Sequence, residues 1–147
     1  MSPFTLLLNV LWILTGGLWM AAAWVVAGIV LAITIIGLPW ARAAFAIAAY
    51  TLLPFGYRVV PRYELTGRED IGTGPLGTIG NIIWLLVLGI PLAIGHLAAA
   101  LACAVTIIGL PFAWQHIKLA QISLWPIGTE VVDVDIADAA RRRAAFY

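Results

Sequence analysis

Charge is what this chain has least of. Only 10% of its 147 residues are charged, where a soluble domain carries about 25%. No Asp, Glu, Lys or Arg occurs from Met1 to Ala41, and none from Ile71 to Ile117. Each of these runs is longer than the roughly 20 apolar residues that one membrane-spanning helix requires. With 63% hydrophobic residues and a mean hydropathy of +1.04, the composition is that of a membrane protein.

Other scarcities exclude chemistry. The single cysteine, Cys103, has no partner for a disulfide or a Cys-rich metal site, and reads as a small packing residue between helices. Ser2 and Ser123 are the only serines, and neither stands in a nucleophile-elbow pattern. His96 and His116 lack a ligating neighbour at helical spacing, and there is no glycine-rich phosphate loop. Carboxylates occur only from Glu64 to Asp70 and from Glu130 to Asp138, in segments expected to be solvated. The expectation is a protein that is not an enzyme, with no catalytic residue, no metal and no cofactor. Basic residues cluster only at Arg141 to Arg143, without interleaved aromatics, so nucleic acid is not expected as a partner. The apolar N-terminus has no preceding Lys or Arg and recurs later in the chain, so it reads as part of the mature fold rather than a secretory signal.

What is present is a repetition. The hexamer TIIGLP at residues 34–39 returns at 106–111, the centre of a gapless match of residues 9–60 with 81–132. Asn9 pairs with Asn81, Trp12 with Trp84, Gly17 with Gly89, Pro54 with Pro126, Gly56 with Gly128, and Val59-Val60 with Val131-Val132. Recurrence of Asn, Gly and Pro in register says that the same backbone turns are made twice. The units are a first membrane repeat at 1–65, a Gly-rich linker at 66–77, a second repeat at 78–136 and a basic tail at 137–147.

Each copy has one plan. A long uncharged segment (4–36; 76–108) is interrupted at Gly17 or Gly89. Read as one helix it would reach about 50 Å; the preferred reading is a tight or re-entrant hairpin bent at that glycine. TIIGLP then makes a backbone corner: Gly37 and Gly109 supply left-handed freedom, and Pro39 and Pro111 restart a helix at its first position. Short helices over 40–53 and 112–125, about 21 Å each, are too short to span alone. In the second, Gln115, His116, Lys118 and Gln121 are set against Ala113, Ile117, Ala120 and Leu124, the pattern of an interfacial amphipathic helix. Strand-like pieces close the copies at 57–65 and 129–136, able to pair as one small sheet with Pro61 at an edge or bulge. Arg58, Arg62 and Arg68 follow the first copy, while Lys118 and Arg141 to Arg143 follow the second. Both tails are therefore expected in the cytoplasm, with the repeats parallel. The fold class expected is a mainly α, polytopic membrane protein of two parallel repeats, each a long kinked or hairpin transmembrane segment plus a short interfacial helix, with short cytoplasmic β-strands and a tail that contacts lipid headgroups.

These motifs together, the paired NxxW starts (Asn9, Trp12; Asn81, Trp84), the IIGLP corners, LPFG and WPIG at 53–56 and 125–128, and His96 twelve residues after Trp84, resemble the YccF family of bacterial inner-membrane proteins. The resemblance covers nearly the whole chain. It implies a multi-pass protein of the cytoplasmic membrane and leaves its activity open.

Three polar residues fall inside the apolar runs: Asn9, Asn81 and His96, whose counterpart in the first copy is Trp24. They read either as polar contacts between helices or as the lining of a pore. Two functions follow. The first is a homo-oligomeric channel or transporter for a small ion or solute, the pore being formed by a ring of subunits. The alternative is a structural or accessory subunit that binds a partner protein through its cytoplasmic strands.

Overall fold

A computed structural model describes residues 1–145. The chain is mainly helical: α1 (Pro3–Trp12), α2 (Leu18–Ile33), α3 (Leu38–Leu52), β1 (Tyr57–Pro61), α4 (Arg62–Thr66), α5 (Pro75–Trp84), α6 (Ile90–Ala104), α7 (Leu110–Leu124), β2 (Thr129–Asp133) and α8 (Val134–Ala144). Ser2 caps α1, its Oγ accepting from Thr5 N–H at 3.1 Å with Pro3 in the first turn, where a missing donor is harmless.

The long segments do not fold back at Gly17 or Gly89. There α5 runs into α6 through a five-residue π-helical turn at Leu85–Gly89, while α1 meets α2 across a kink within Ile13–Gly17, where Gly16 has a non-helical φ of 141°. A π turn widens a helix without ending it, and a reversal needs an end. The continuous segments Pro3–Ile33 and Pro75–Ala104 are 31 and 30 residues long, about 45 Å each. The glycines serve packing instead: a Cβ on Gly17 would overlap the Trp12 indole, and one on Gly89 would stand 2.8 Å from the Ser123 carbonyl oxygen and 3.1 Å from the Trp84 ring.

The reversal occurs at TIIGLP, where α2 turns into α3 and α6 into α7, each pair packing along its length as a helical hairpin. Thr34 Oγ1 donates to Leu31 O at 2.6 Å and accepts from Gly37 N–H at 3.0 Å. Thr106 repeats the bond to Gly109 N–H at the same 3.0 Å. In the first corner, every N–H from Thr34 to Ala41 has an acceptor, and Pro39 has no N–H to satisfy. The expected left-handed glycine is absent: Gly37 and Gly109 have φ of −77° and −75°, and in the first corner it is Ile35 that has positive φ, at 59°. Glycine is needed for space, because a Cβ at Gly37 would meet Leu31 O at 2.7 Å and one at Gly109 would overlap Cys103 O. Pro39 and Pro111 each stand second in their helices, behind Leu38 and Leu110.

Strands β1 and β2 pair antiparallel, Val59 facing Val131. These two residues are 72 apart, as are Trp24 and His96, whose side chains bond to each other at 3.1 Å. When equivalent residues of two copies meet at two separate levels, the copies are related by a twofold axis through both meeting points. The axis runs from the sheet into the helical body. Around it lies the core, built on the fully buried Trp12, Trp24 and Trp84 with Ile47, Phe112 and Leu119; Trp24 and Trp84 stack at 5.4 Å.

The strands are shorter than expected. Residues 62–66 form α4, and Val134 and Ile136 belong to α8, because Asp133 accepts from Asp135 N–H and starts a helix there. The linker ends early as well, since α5 begins at Pro75. Arg141, Arg142 and Arg143 fill the last turn of α8, where cations suit the helix dipole; residues 146 and 147 of the tail lie outside the described residues. Ion pairs tie this cap together: Arg58 to Asp138 at 2.6 Å, and Arg62 to Asp70 at 2.6 Å and to Glu130 at 3.3 Å. The Arg62 hydrogen bond holds the Asp70 carboxyl below its usual range.

Gly109→Ala should therefore lower the thermal midpoint of the protein in detergent sharply, since the obstacle is a backbone carbonyl. Gly95→Ala, whose Cβ would only touch Met20 at 3.5 Å, should leave it unchanged or raise it by the better helix propensity of Ala. Equal midpoints for the two variants would refute the steric account of the corner.

Candidate functional site

The polar residues of the apolar body form two sets. The first is a clamp built once per copy. Asn9 Nδ2 donates to Phe55 O at 3.1 Å while Asn9 Oδ1 accepts from Phe55 N–H at 3.0 Å. Asn81 makes the same two bonds to Ile127, each at 2.9 Å. One helical turn on, Trp12 Nε1 donates to Thr51 O at 2.6 Å, and Trp84 Nε1 to Ser123 O at 2.7 Å. The hydroxyls of Thr51 and Ser123 donate back to the carbonyls of Ile47 and Leu119, so neither hydroxyl is left unpaired at the end of its short helix. NxxW on one arm and [Thr/Ser]-x-x-Pro-x-Gly on the other are thus two halves of one clamp, holding the long helix to the exit of the hairpin.

The second set is made once, on the twofold axis. Trp24 Nε1–H donates to His96 Nε2, and His96 Nδ1 stands 3.1 Å from His116 Nδ1. A nitrogen that accepts the indole proton carries none of its own, so neutral His96 holds its proton on Nδ1 and donates to His116, which in turn carries its proton on Nε2. Trp12 lies against the His116 ring with centroids 4.4 Å apart. Position 116 corresponds to Ala44 in the first copy. A large–small pair, Trp24 and Ala44, therefore faces a pair of intermediate size, His96 and His116, and the two halves of the core fill one space.

Asn9, Asn81 and His96 are thus all inside the chain, at 0%, 1% and 0% exposure, with their partners in the chain. The two asparagines are not brought to His96; they sit at the base of the hairpins. Gly37, Pro39, Gly109 and Pro111 lie in the corners beyond α2 and α6. The expected division of α7 into wet and apolar sides does not hold. Gln115 and His116 are buried, Gln115 Nε2 donating to Tyr50 Oη at 2.8 Å, whereas Leu124 is exposed. The sequence reading missed His116 as a partner of His96. A signal was available: once TIIGLP is the reversal, positions equally far from Thr106 face each other, and 106 − 96 and 116 − 106 are both 10. Among the described residues, no three His, Cys, Asp or Glu side chains gather as a metal site would require.

Both copies match the family model of the YccF inner membrane component domain, over residues 7–57 and 79–129. The chain belongs to the YccF family. It is 34% identical over 139 residues to the inner membrane protein YccF of Escherichia coli K12 and, to the same extent, to that of Shigella flexneri, with 94% of this chain and 94% of each relative covered. No solved structure matches it. Membership makes this an inner-membrane protein, and the two long apolar helices of the YccF repeats are the parts suited to a bilayer.

Trp24→Phe keeps most of the ring and deletes the N–H, leaving His96 Nε2 without its donor in the interior. The expected loss is about 1–3 kcal/mol, read as a lower thermal midpoint in detergent, while Trp19→Phe at an exposed position should change little. An unshifted Trp24→Phe would mean that the pair contributes no net stability.

Proposed function

We propose that this YccF chain is a structural or accessory subunit, whose two hairpins sit in the inner membrane and hold a charged cap at its cytoplasmic face for a partner protein. One observation carries this reading: each of the intramembrane polar side chains Asn9, Asn81, His96, Gln115, Thr51 and Ser123 is buried and bonded within its own chain. A pore needs polar groups to spare for water or an ion. Here they are consumed in holding the hairpins together, the Trp40 indole N–H being the one buried side-chain group without a partner among the described residues, and the long helices turn Leu14, Trp19, Ile33, Leu86, Val87 and Leu101 outward.

The charges support the orientation. Arg58, Arg62 and Arg68, with Arg141 to Arg143, belong to the strands, α4, the linker and α8, all at the end of the hairpins opposite the corners. By the positive-inside bias that end is cytoplasmic. The corners at the other end expose Ile35, Ile36, Ile107 and Ile108 at 78–87% and carry no charge themselves, the exposed Arg42 standing about one turn into α3 beyond the first of them. In the first corner every N–H bonds within the chain and the threonine hydroxyl is paired, so that turn is suited to hydrocarbon, where an unpaired group costs several kcal/mol. With short arms of 15 residues, about 22 Å, the hairpins are read as dipping into the bilayer and returning.

Two experiments test this. Native mass spectrometry from nanodiscs should give a monomer or dimer, and proteoliposomes should show no ion flux; a ring of four or more chains with flux would establish the homo-oligomeric channel in its place. For the corners, Ile107→Cys in a Cys103→Ala background should resist membrane-impermeant maleimide from both sides of the membrane until detergent is added, while Arg68→Cys reacts from the cytoplasmic side. Labelling of Ile107→Cys from the periplasm would show that the hairpins cross completely.

A further inference from the structure

The twofold plan is broken in one place on the surface. Along α7, Trp114, Lys118 and Gln121 follow one another at helical spacing on one face, with Trp125 just past its end; the first copy has Arg42, Ala46, Ala49 and Leu53 at these positions. This face forms one wall of a groove of about 750 Å³, whose other wall is the sheet, the linker turn and the start of α8's basic turn. Three cations line the groove, Arg58, Lys118 and Arg141, and no carboxylate does. Arg58 is already paired with Asp138. Lys118 and Arg141 have no carboxylate at salt-bridge distance among the described residues, although Lys118 is half-buried.

Two unneutralised cations lining one groove repel each other, and an anion between them removes the repulsion. The groove's position narrows the anion's identity. From Trp125, at the level of the sheet, Lys118 is about 10 Å and Trp114 about 16 Å along α7, toward the apolar corner. Polar groups at the mouth, cations next, and an exposed tryptophan on the lipid side reproduce the order of a phospholipid entering a membrane surface: headgroup, phosphate, glycerol and acyl chain. We propose that this groove binds one anionic phospholipid, its phosphate between Lys118 and Arg141 and its acyl chains passing Trp114.

The test uses the full chain in mild detergent with equal amounts of dioleoylphosphatidylglycerol and dioleoylphosphatidylcholine, read by native mass spectrometry. One phosphatidylglycerol should remain bound in preference to phosphatidylcholine. The double variant Lys118→Gln, Arg141→Gln should weaken its retention about 25-fold, about five-fold for each cation. Lys118→Arg should retain the lipid, as should Arg68→Gln, a change in the linker away from the groove. Because neither altered cation has a carboxylate partner among the described residues, the thermal midpoint of the double variant without lipid should match that of the parent, which separates lost binding from lost folding. Equal retention of the two lipids, or undiminished retention by the double variant, would overturn the proposal. So would full displacement by soluble glycerol phosphate at the lipid's own concentration, which would assign the groove to a free phosphoester.

Discussion

Inside a bilayer, a peptide N–H or C=O that finds no partner costs several kcal/mol, and every sharp turn of the chain creates such groups. This constraint decides more of the molecule than any single contact. A helix end strands carbonyls and N–H groups, so a chain of this hydropathy can reverse only where side chains or tight turns take them up. TIIGLP is one such device. Its threonine both donates to the carbonyl three residues back and accepts from the glycine three residues on, its proline has no N–H to lose, and its two isoleucines and leucine face outward. The exits of the hairpins meet the same need differently: Asn9 and Asn81 each pair both backbone groups of one residue, and Trp12 and Trp84 take the next free carbonyl. The side chains that look polar in an apolar sequence are mostly there on behalf of the backbone.

The same view separates what duplication kept from what it changed. Corners and clamps are kept, since each hairpin needs its own and no neighbour can provide one. On the twofold axis the demand is different, because there the copies meet themselves. Two identical tryptophans at positions 24 and 96 would place two donors and no acceptor opposite each other, as indole offers only N–H. Histidine at 96 supplies the acceptor, and its second nitrogen then needs a partner, which His116 gives from α7. Divergence at 96 and 116 is thus one coupled change, and the smaller Ala44 opposite fits the bulk of Trp24.

How much of this was legible depended on whether the signal was local. Membrane class, the duplication, the corner and the pairing of the Val-Val strands could be read from charge-free runs and from Gly, Pro and Asn in register. The reversal was misplaced at Gly17 because glycine in a helix looks like a breaker; the chain only kinks there, at Gly16, and the need Gly17 serves, room for an indole five residues earlier, appears only once Trp12 has turned toward Thr51. The wet face given to α7 failed for a related reason. Gln115 and His116 do have polar partners, but Tyr50 and His96 are 65 and 20 residues away, and a periodicity argument along one helix assigns every polar side chain to water. Val134 and Ile136 alternate as a strand would, yet Asp133 caps a helix there, a local bond outweighing a two-residue pattern.

Function divides along the same line. Where the copies remain alike, their polar groups are explained by folding alone, so those residues give little reason to expect a solute path. Where the second copy departs from the first without a structural need, at Trp114, Lys118 and Gln121, folding explains nothing: the first copy builds the same helix with arginine and two alanines. A lysine half-buried without a counter-ion is a cost that a stable fold would not keep for its own sake. The groove shares its walls with the strands that form the cap, so an occupant there would touch membrane and cap at once. Binding at that point would couple the lipid composition of the membrane to the surface that the cap offers a partner.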